Sequence, residues 1–289
     1  MKTIGQTLNA AASRYRDREA IVMGTRRLSH NAVRDEARRF ACALLGIGIR
    51  PGDHVGILMP NCMEYLLLFY GCALIGASAV HFNFRYKNEE LRYVINHSRV
   101  KVLFASAKQR DFNDSAAILR ALYPALIGWR AGEPLTIAEA PELGAIYCFH
   151  AGAQGWPSER ELMAAARRAE YSENLDPEQI ALIMYTSGTT AHPKACLLSH
   201  RAIETAGHGM AERWQLTDQD RFWDPLPFFH MSTMLPLAAC RASGAAFIAM
   251  EHFDPDVAVR EMADEKVSIL FPAFPTLTNA LFGHPNFRA

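Results

Sequence analysis

From Tyr185 to Lys194 the chain runs Tyr-Thr-Ser-Gly-Thr-Thr-Ala-His-Pro-Lys. Thr186, Ser187, Gly188, Thr189 and Thr190 are five consecutive small or hydroxylated residues, and Lys194 follows a proline turn. Small side chains let main-chain N–H groups approach anionic oxygens, hydroxyls add donors, and the lysine supplies positive charge. Such a set is suited to holding a phosphate chain. The apolar run Leu182, Ile183, Met184 ahead of Tyr185 predicts a strand that runs out into this loop. A Walker A loop would place glycine before the lysine and serine or threonine after it. Pro193 and Ala195 stand there instead, so the chain is not a P-loop NTPase.

The string resembles the signature of the adenylate-forming (AMP-binding) superfamily, which includes acyl-CoA synthetases, luciferases and peptide-synthetase adenylation domains. In that family the loop is usually TSGTTG-x-PKG. The resemblance extends along nearly the whole chain, through RRLSHNAV from Arg26, GDHVGILMPNCMEYLLLFYGCALIGASAVHFNFR from Gly52, VLFAS from Val102 and LPFFHMSTML from Leu226. It implies that Thr186, Ser187, Gly188, Thr189 and Thr190 wrap the β- and γ-phosphates of ATP and that Lys194 neutralises charge there. It further implies that Thr186 reaches a Mg²⁺ ion and that His230, behind Phe229, lines an acyl and AMP pocket. A histidine beside two phenylalanines is also a common core residue. The implied reaction is ATP-dependent activation of a small-molecule carboxylate through an acyl-adenylate, followed by transfer to CoA. A non-catalytic nucleotide- or acyl-binding module, or other adenylate-forming chemistry, remains the alternative.

Ala191 and Ala195 stand where the family usually has glycine. At positive φ a Cβ costs about 1–2 kcal/mol, and at negative φ it costs little. The family's Y-G-x-T-E segment, whose glutamate holds magnesium, is not found in the sequence, nor is the T-G-D segment whose aspartate binds the ribose. The expectation is therefore a partial N-terminal adenylation domain over residues 1–289, without the small C-terminal domain that carries the catalytic lysine. Within it, residues 128–160 form a loop-rich connection and 176–289 the phosphate-loop half. Such a polypeptide is expected to be inactive alone, and to self-associate or to need the missing C-terminal half.

Composition narrows the remaining classes. Half of the 289 residues are apolar, enough for a large core, and 30 basic residues balance 30 acidic ones. No long-range field favours nucleic acid or anionic lipid. The six cysteines form no C-x-x-C pair, and the N-terminus has no apolar signal core. Both facts point to a cytoplasmic protein. The uncharged run Tyr65–Phe82 contains Gly71, Gly76 and Ser78 and predicts a buried helix followed by a core strand rather than stable membrane insertion.

Around the loop, helix and strand signals alternate. Helices are expected at Thr3–Tyr15, Ser29–Leu45, from Cys62, and at Asn88–Asn96, Ala116–Tyr123, Arg201–Trp214, Asp256–Ala263 and Thr276–Phe282. Strands are expected at Ala20–Met23, Arg27–Leu28, Val55–Leu58, Lys101–Ala105, Ala145–Phe149, Ile180–Met184, Cys196–Leu198, Gly244–Met250 and Val267–Leu270. This order implies an α/β fold of mostly parallel sheets with helices on both faces. His192 is expected at the surface and His200 at a helix start. Tyr65–Leu68 is expected in the core, and Trp214, Trp223 and Phe228 either in the core or around an acyl pocket.

Overall fold

The computed structural model describes residues 2–106, 114–150, 155–166, 171–172, 174–186 and 192–288. Among these, the chain opens with α1 (Ile4–Tyr15), β1 (Glu19–Met23), β2 (Arg26–Ser29), α2 (His30–Gly46), β3 (His54–Leu58), α3 (Met63–Ile75) and β4 (Ser78–His81). It continues through α4 (Asn88–Ser98), β5 (Val102–Ser106), α5 (Ser115–Leu122), β6 (Ala145–Phe149), α6 (Glu159–Ala164), β7 (Ile180–Thr186) and β8 (Lys194–Ser199). The last elements are α7 (His200–Arg213), β9 (Arg221–Asp224), α8 (Met231–Ser243), β10 (Ala246–Ala249), α9 (Pro255–Asp264), β11 (Ile269–Leu270) and α10 (Pro275–Phe282). The architecture is mixed α/β with two mostly parallel sheets. The chain divides into two compact units, one of residues 37–60 and 65–200, the other of residues 1–36, 61–64 and 201–289. The segment 176–289 thus contributes elements to both.

The first unit holds the sheet β6-β5-β3-β4-β7-β8. Every pair in it is parallel except β7 with β8, which is antiparallel. Strands β4 and β5 are buried at all positions, as expected for strands covered on both faces. In α3, Tyr65, Leu66 and Leu68 are fully buried, so the uncharged run from Tyr65 is core, and β4 follows it. Gly71 lets α3 approach α2, because a Cβ there would lie 2.9 Å from Phe40 Cβ and 3.1 Å from Ala41 N. Among the described residues no helix is long and apolar enough to cross a membrane.

The second unit holds the sheet β11-β9-β10-β1-β2, parallel apart from the β1–β2 hairpin. Val22, Trp223, Ile248, Met250, Ala258, Val259 and Leu281 form a core cluster of this unit. Helix α1 is set by a capping box in which Thr3 accepts from Gln6 N and the Gln6 side chain accepts from Thr3 N. Helix α8 ends at Gly244, whose φ is 83° and whose absent Cβ leaves room for the Tyr15 ring. A buried ion pair joins Arg241 of α8 to Glu204 of α7, and Arg241 Nε also donates to the Thr7 hydroxyl at 3.1 Å.

Several expectations need correction. Strand β9 and helix α8 are absent from the sequence reading, and α6 starts at the very end of the region 128–160 read as loop-rich and runs beyond it. The final strand shrinks to Ile269–Leu270, because Lys266 turns the chain at φ 48° after α9 and Val267 N bonds Met262 O. Trp223 and Phe228 are fully buried, whereas Trp214 is 42% exposed and stacks on Phe222. His200 opens α7 and is fully buried.

Candidate nucleotide site

Strand β7 carries its apolar run to Thr186, its last residue. Five residues are buried or half-buried from Ile180 to Met184, and the strand emerges at Thr186, which is exposed. In open α/β sheets, ligands sit beyond the carboxyl ends of parallel strands. The carboxyl end of β7, which runs parallel to β4, is such a place. Lys194 begins the returning strand and pairs in register with Thr186, and the Thr186 hydroxyl lies 3.5 Å from the Lys194 carbonyl oxygen. Both side chains of this pair are exposed, leaving the ammonium available to an anion. Ser187, Gly188, Thr189, Thr190 and Ala191 lie outside the described residues.

Ala195 resolves one of the two departures from the glycine pattern. It sits inside β8, paired with Tyr185, and is not among the described residues with positive φ. Its Cβ therefore adds no strain. For magnesium, Thr186 offers one neutral oxygen, so an ion held there would depend chiefly on phosphate oxygens.

Phe229 and His230 belong to the unit built on β9 and lie beyond the carboxyl end of that strand. His230 is exposed at the N-cap of α8, so it is not a core histidine, and its ring lies 4.4 Å from that of the buried Phe229. The segment ahead of it is held by three buried polar residues. Asn61 donates to Leu226 O and Met250 O and accepts from Phe228 N, each at 2.9 Å. Asp224 accepts from Leu226 N at 2.9 Å, and the Thr233 hydroxyl donates to Pro227 O at 3.2 Å. Burial raises the Asp224 carboxyl to about 8, against the hydrogen bond from Leu226 N that pulls it down. Sequence reasoning assigned neither Asn61 nor Asp224 a role, although Asn61 stands in the quoted string as the residue after Pro60.

The AMP-binding enzyme family matches residues 8–289. The chain belongs to that family. Among its relatives, the Bacillus subtilis protein YngI is 33% identical over 297 residues, covering 99% of this chain and 54% of its own. The long-chain-fatty-acid–CoA ligase FadD13 of Mycobacterium tuberculosis is 29% identical over 289 residues, covering 99% of this chain and 52% of its own. The inhibitor-bound N-terminal domain of FACL13 from the same organism superposes with a TM-score of 0.79 at 28% identity, over 100% of this chain and 67% of that one. This AMP-binding chain thus spans about half the length of the curated relatives it matches. Its fold is that of the N-terminal domains of adenylate-forming enzymes.

Proposed function

We propose that this chain is the N-terminal part of an ATP-dependent acyl-CoA synthetase and that its strand-end pair, Thr186 and Lys194, receives the β- and γ-phosphates of ATP. The observation that carries the reading is the register pairing of Thr186 with Lys194 at the exposed carboxyl end of β7, in a chain of the AMP-binding family. Ser187, Gly188, Thr189 and Thr190 complete the phosphate-binding set in this proposal. A carboxylate oxygen attacks the α-phosphorus, the bond to the β-phosphate oxygen breaks, and pyrophosphate leaves; a Mg²⁺ ion, if held at Thr186, would neutralise charge on the phosphates. The CoA sulfur then attacks the acyl carbon, the bond to AMP breaks, and the thiol proton passes to solvent. Holding the pyrophosphate end orients the α-phosphorus for in-line attack, and fixed positive charge stabilises charge that develops there. Phe229 and His230 line the acyl and AMP pocket, and the carboxylic acid is the substrate partner.

A second reading, a nucleotide-binding module without chemistry of its own, is favoured for residues 1–289 taken alone by their span of about half the relatives' length. The two separate with an unreactive alkyl-adenylate analogue, since adenylating sites bind the intermediate far more tightly than either substrate. The synthetase reading predicts that the analogue raises the melting temperature of the 289-residue chain well beyond ATP or a free fatty acid. An analogue no better than AMP itself would favour the module. Neither reading predicts that residues 1–289 alone form acyl-CoA at the roughly 1 s⁻¹ ordinary for enzymes.

A further inference from the structure

Helix α4 meets the strand pair β7–β8 at two points. Tyr185 precedes Thr186, and its hydroxyl lies 2.7 Å from His97 Nδ1, with the two rings edge-to-face at 5.8 Å. On the returning side, His192 precedes Lys194 by two residues. Its ring lies nearly parallel to Tyr93, at 4.4 Å and 13° between planes. Tyr93 also stacks on His97 at 5.2 Å and 24°. Tyr93 and His97 are four residues apart on α4, so they share one face of the helix. His192 falls at the variable position of the loop signature, and the proposed reaction gives none of these rings a part.

The arrangement ties the end of β7 and the approach to β8 to one rigid helix. Among the described residues strand β8 is the edge of its sheet and pairs only with β7, so the backbone ladder holds Lys194 from one side. We propose that Tyr93 and His97 are positioning residues which, through Tyr185 and His192, set the placement of Thr186 and Lys194 and so the affinity for the phosphates of ATP. The inference rests on the phosphate reading given above. A strand pair already fixed before the ligand arrives loses less freedom on binding. One aromatic stack corresponds to about a 2- to 12-fold change in affinity.

The test is binding of MgATP to the 289-residue chain, by calorimetry, for Tyr93→Ala, Tyr93→Phe, His192→Ala, the double alanine variant and Lys194→Ala. Tyr93 is half-buried and His192 exposed, so these variants are expected to fold, which the melting temperature checks. Tyr93→Ala and His192→Ala should each weaken binding by about 2- to 12-fold, Tyr93→Phe should bind as the parent does, and the double variant should be no weaker than the worse single one. The His192 ring protons, shielded by the parallel tyrosine, should move downfield in Tyr93→Ala. Unchanged binding in Tyr93→Ala together with weakened binding in Lys194→Ala would overturn the inference and leave the phosphate reading standing. Additive losses in the double variant, or unshifted His192 protons, would overturn it as well. Full binding by Lys194→Ala would remove the phosphate reading and the inference with it.

Discussion

Asp224 shows what a single buried carboxyl does to this protein. It is fully buried, and burial raises its pKa from 3.8 to about 8. The folded chain thus holds a proton that the unfolded chain releases once the pH passes about 4. Between about 4 and 8 the unfolded state binds fewer protons, so this group's contribution falls as pH rises, and it levels off above 8. Asp224→Asn keeps an oxygen for Leu226 N and removes the titration. Its stability advantage over the parent should grow by roughly 1.4 kcal/mol per pH unit across that window. Depressed carboxyls such as Glu265, held down by Arg27 and Arg221, work in the opposite sense but are common to both proteins and cancel in the difference. Melting temperatures at pH 5 and pH 8 check this. Equal differences at the two pH values would mean that Asp224 is already ionised in the folded state. Asn61 acts in the same neighbourhood without charge, since its three bonds reach main-chain atoms 165 to 189 residues away. No local pattern announces such a bond, which is why the sequence showed Asn61 only as the residue ahead of the helix expected from Cys62.

At the scale of elements, the packing of α7 on α8 rests on a glycine. A Cβ at Gly207 would lie 2.6 Å from Ala238 Cβ and 3.0 Å from its carbonyl carbon, whereas one at Gly209 meets nothing within 4 Å. Gly209→Ala should therefore stabilise by up to about 1 kcal/mol through helix propensity alone. Gly207→Ala gains the same propensity but overpacks the interface by about 1–3 kcal/mol, so it should be neutral to destabilising. Thermal or urea melts of the two variants decide it. A gain at Gly207 equal to that at Gly209 would mean that the helices are not in close contact. The strands legible in the sequence were those with continuous apolar runs, such as Leu182–Met184 in β7 and Val102–Ala105 in β5. Strand β9 escaped because its four residues begin with Arg221 and end with Asp224. Helix α8 escaped because Pro236 lies inside it and Leu237 to Arg241 are all buried, which leaves no one-sided stripe. The antiparallel direction of β8 is a property of pairing, which its own residues do not encode. The pair proposed to hold phosphate stands out in the sequence because its composition is local, while the rings of α4 that touch its neighbours Tyr185 and His192 are 88 or more residues away.

For the molecule as a whole, one sheet ends in the two-residue strand β11, followed by an exposed apolar stretch. Leu270 is 38% exposed, Phe274 47% and Phe282 55%. Open strand edges and apolar patches promote association. The 289-residue chain is expected to form larger species as its concentration rises, seen by size-exclusion chromatography with light scattering. A clean monomer with a cooperative melt and no binding of a hydrophobic dye would contradict that. The proposed function depends on the strand-end pair being a phosphate site, and Lys194 tests this most directly. Its side chain is an exposed point charge at the start of β8, so Lys194→Ala should leave the melting temperature almost unchanged. Titration of MgATP into parent and variant should show binding weakened by about tenfold or more in Lys194→Ala, the loss expected for removing a charge-assisted contact. Equal affinity in the two proteins, with both folded, would contradict the assignment of the site.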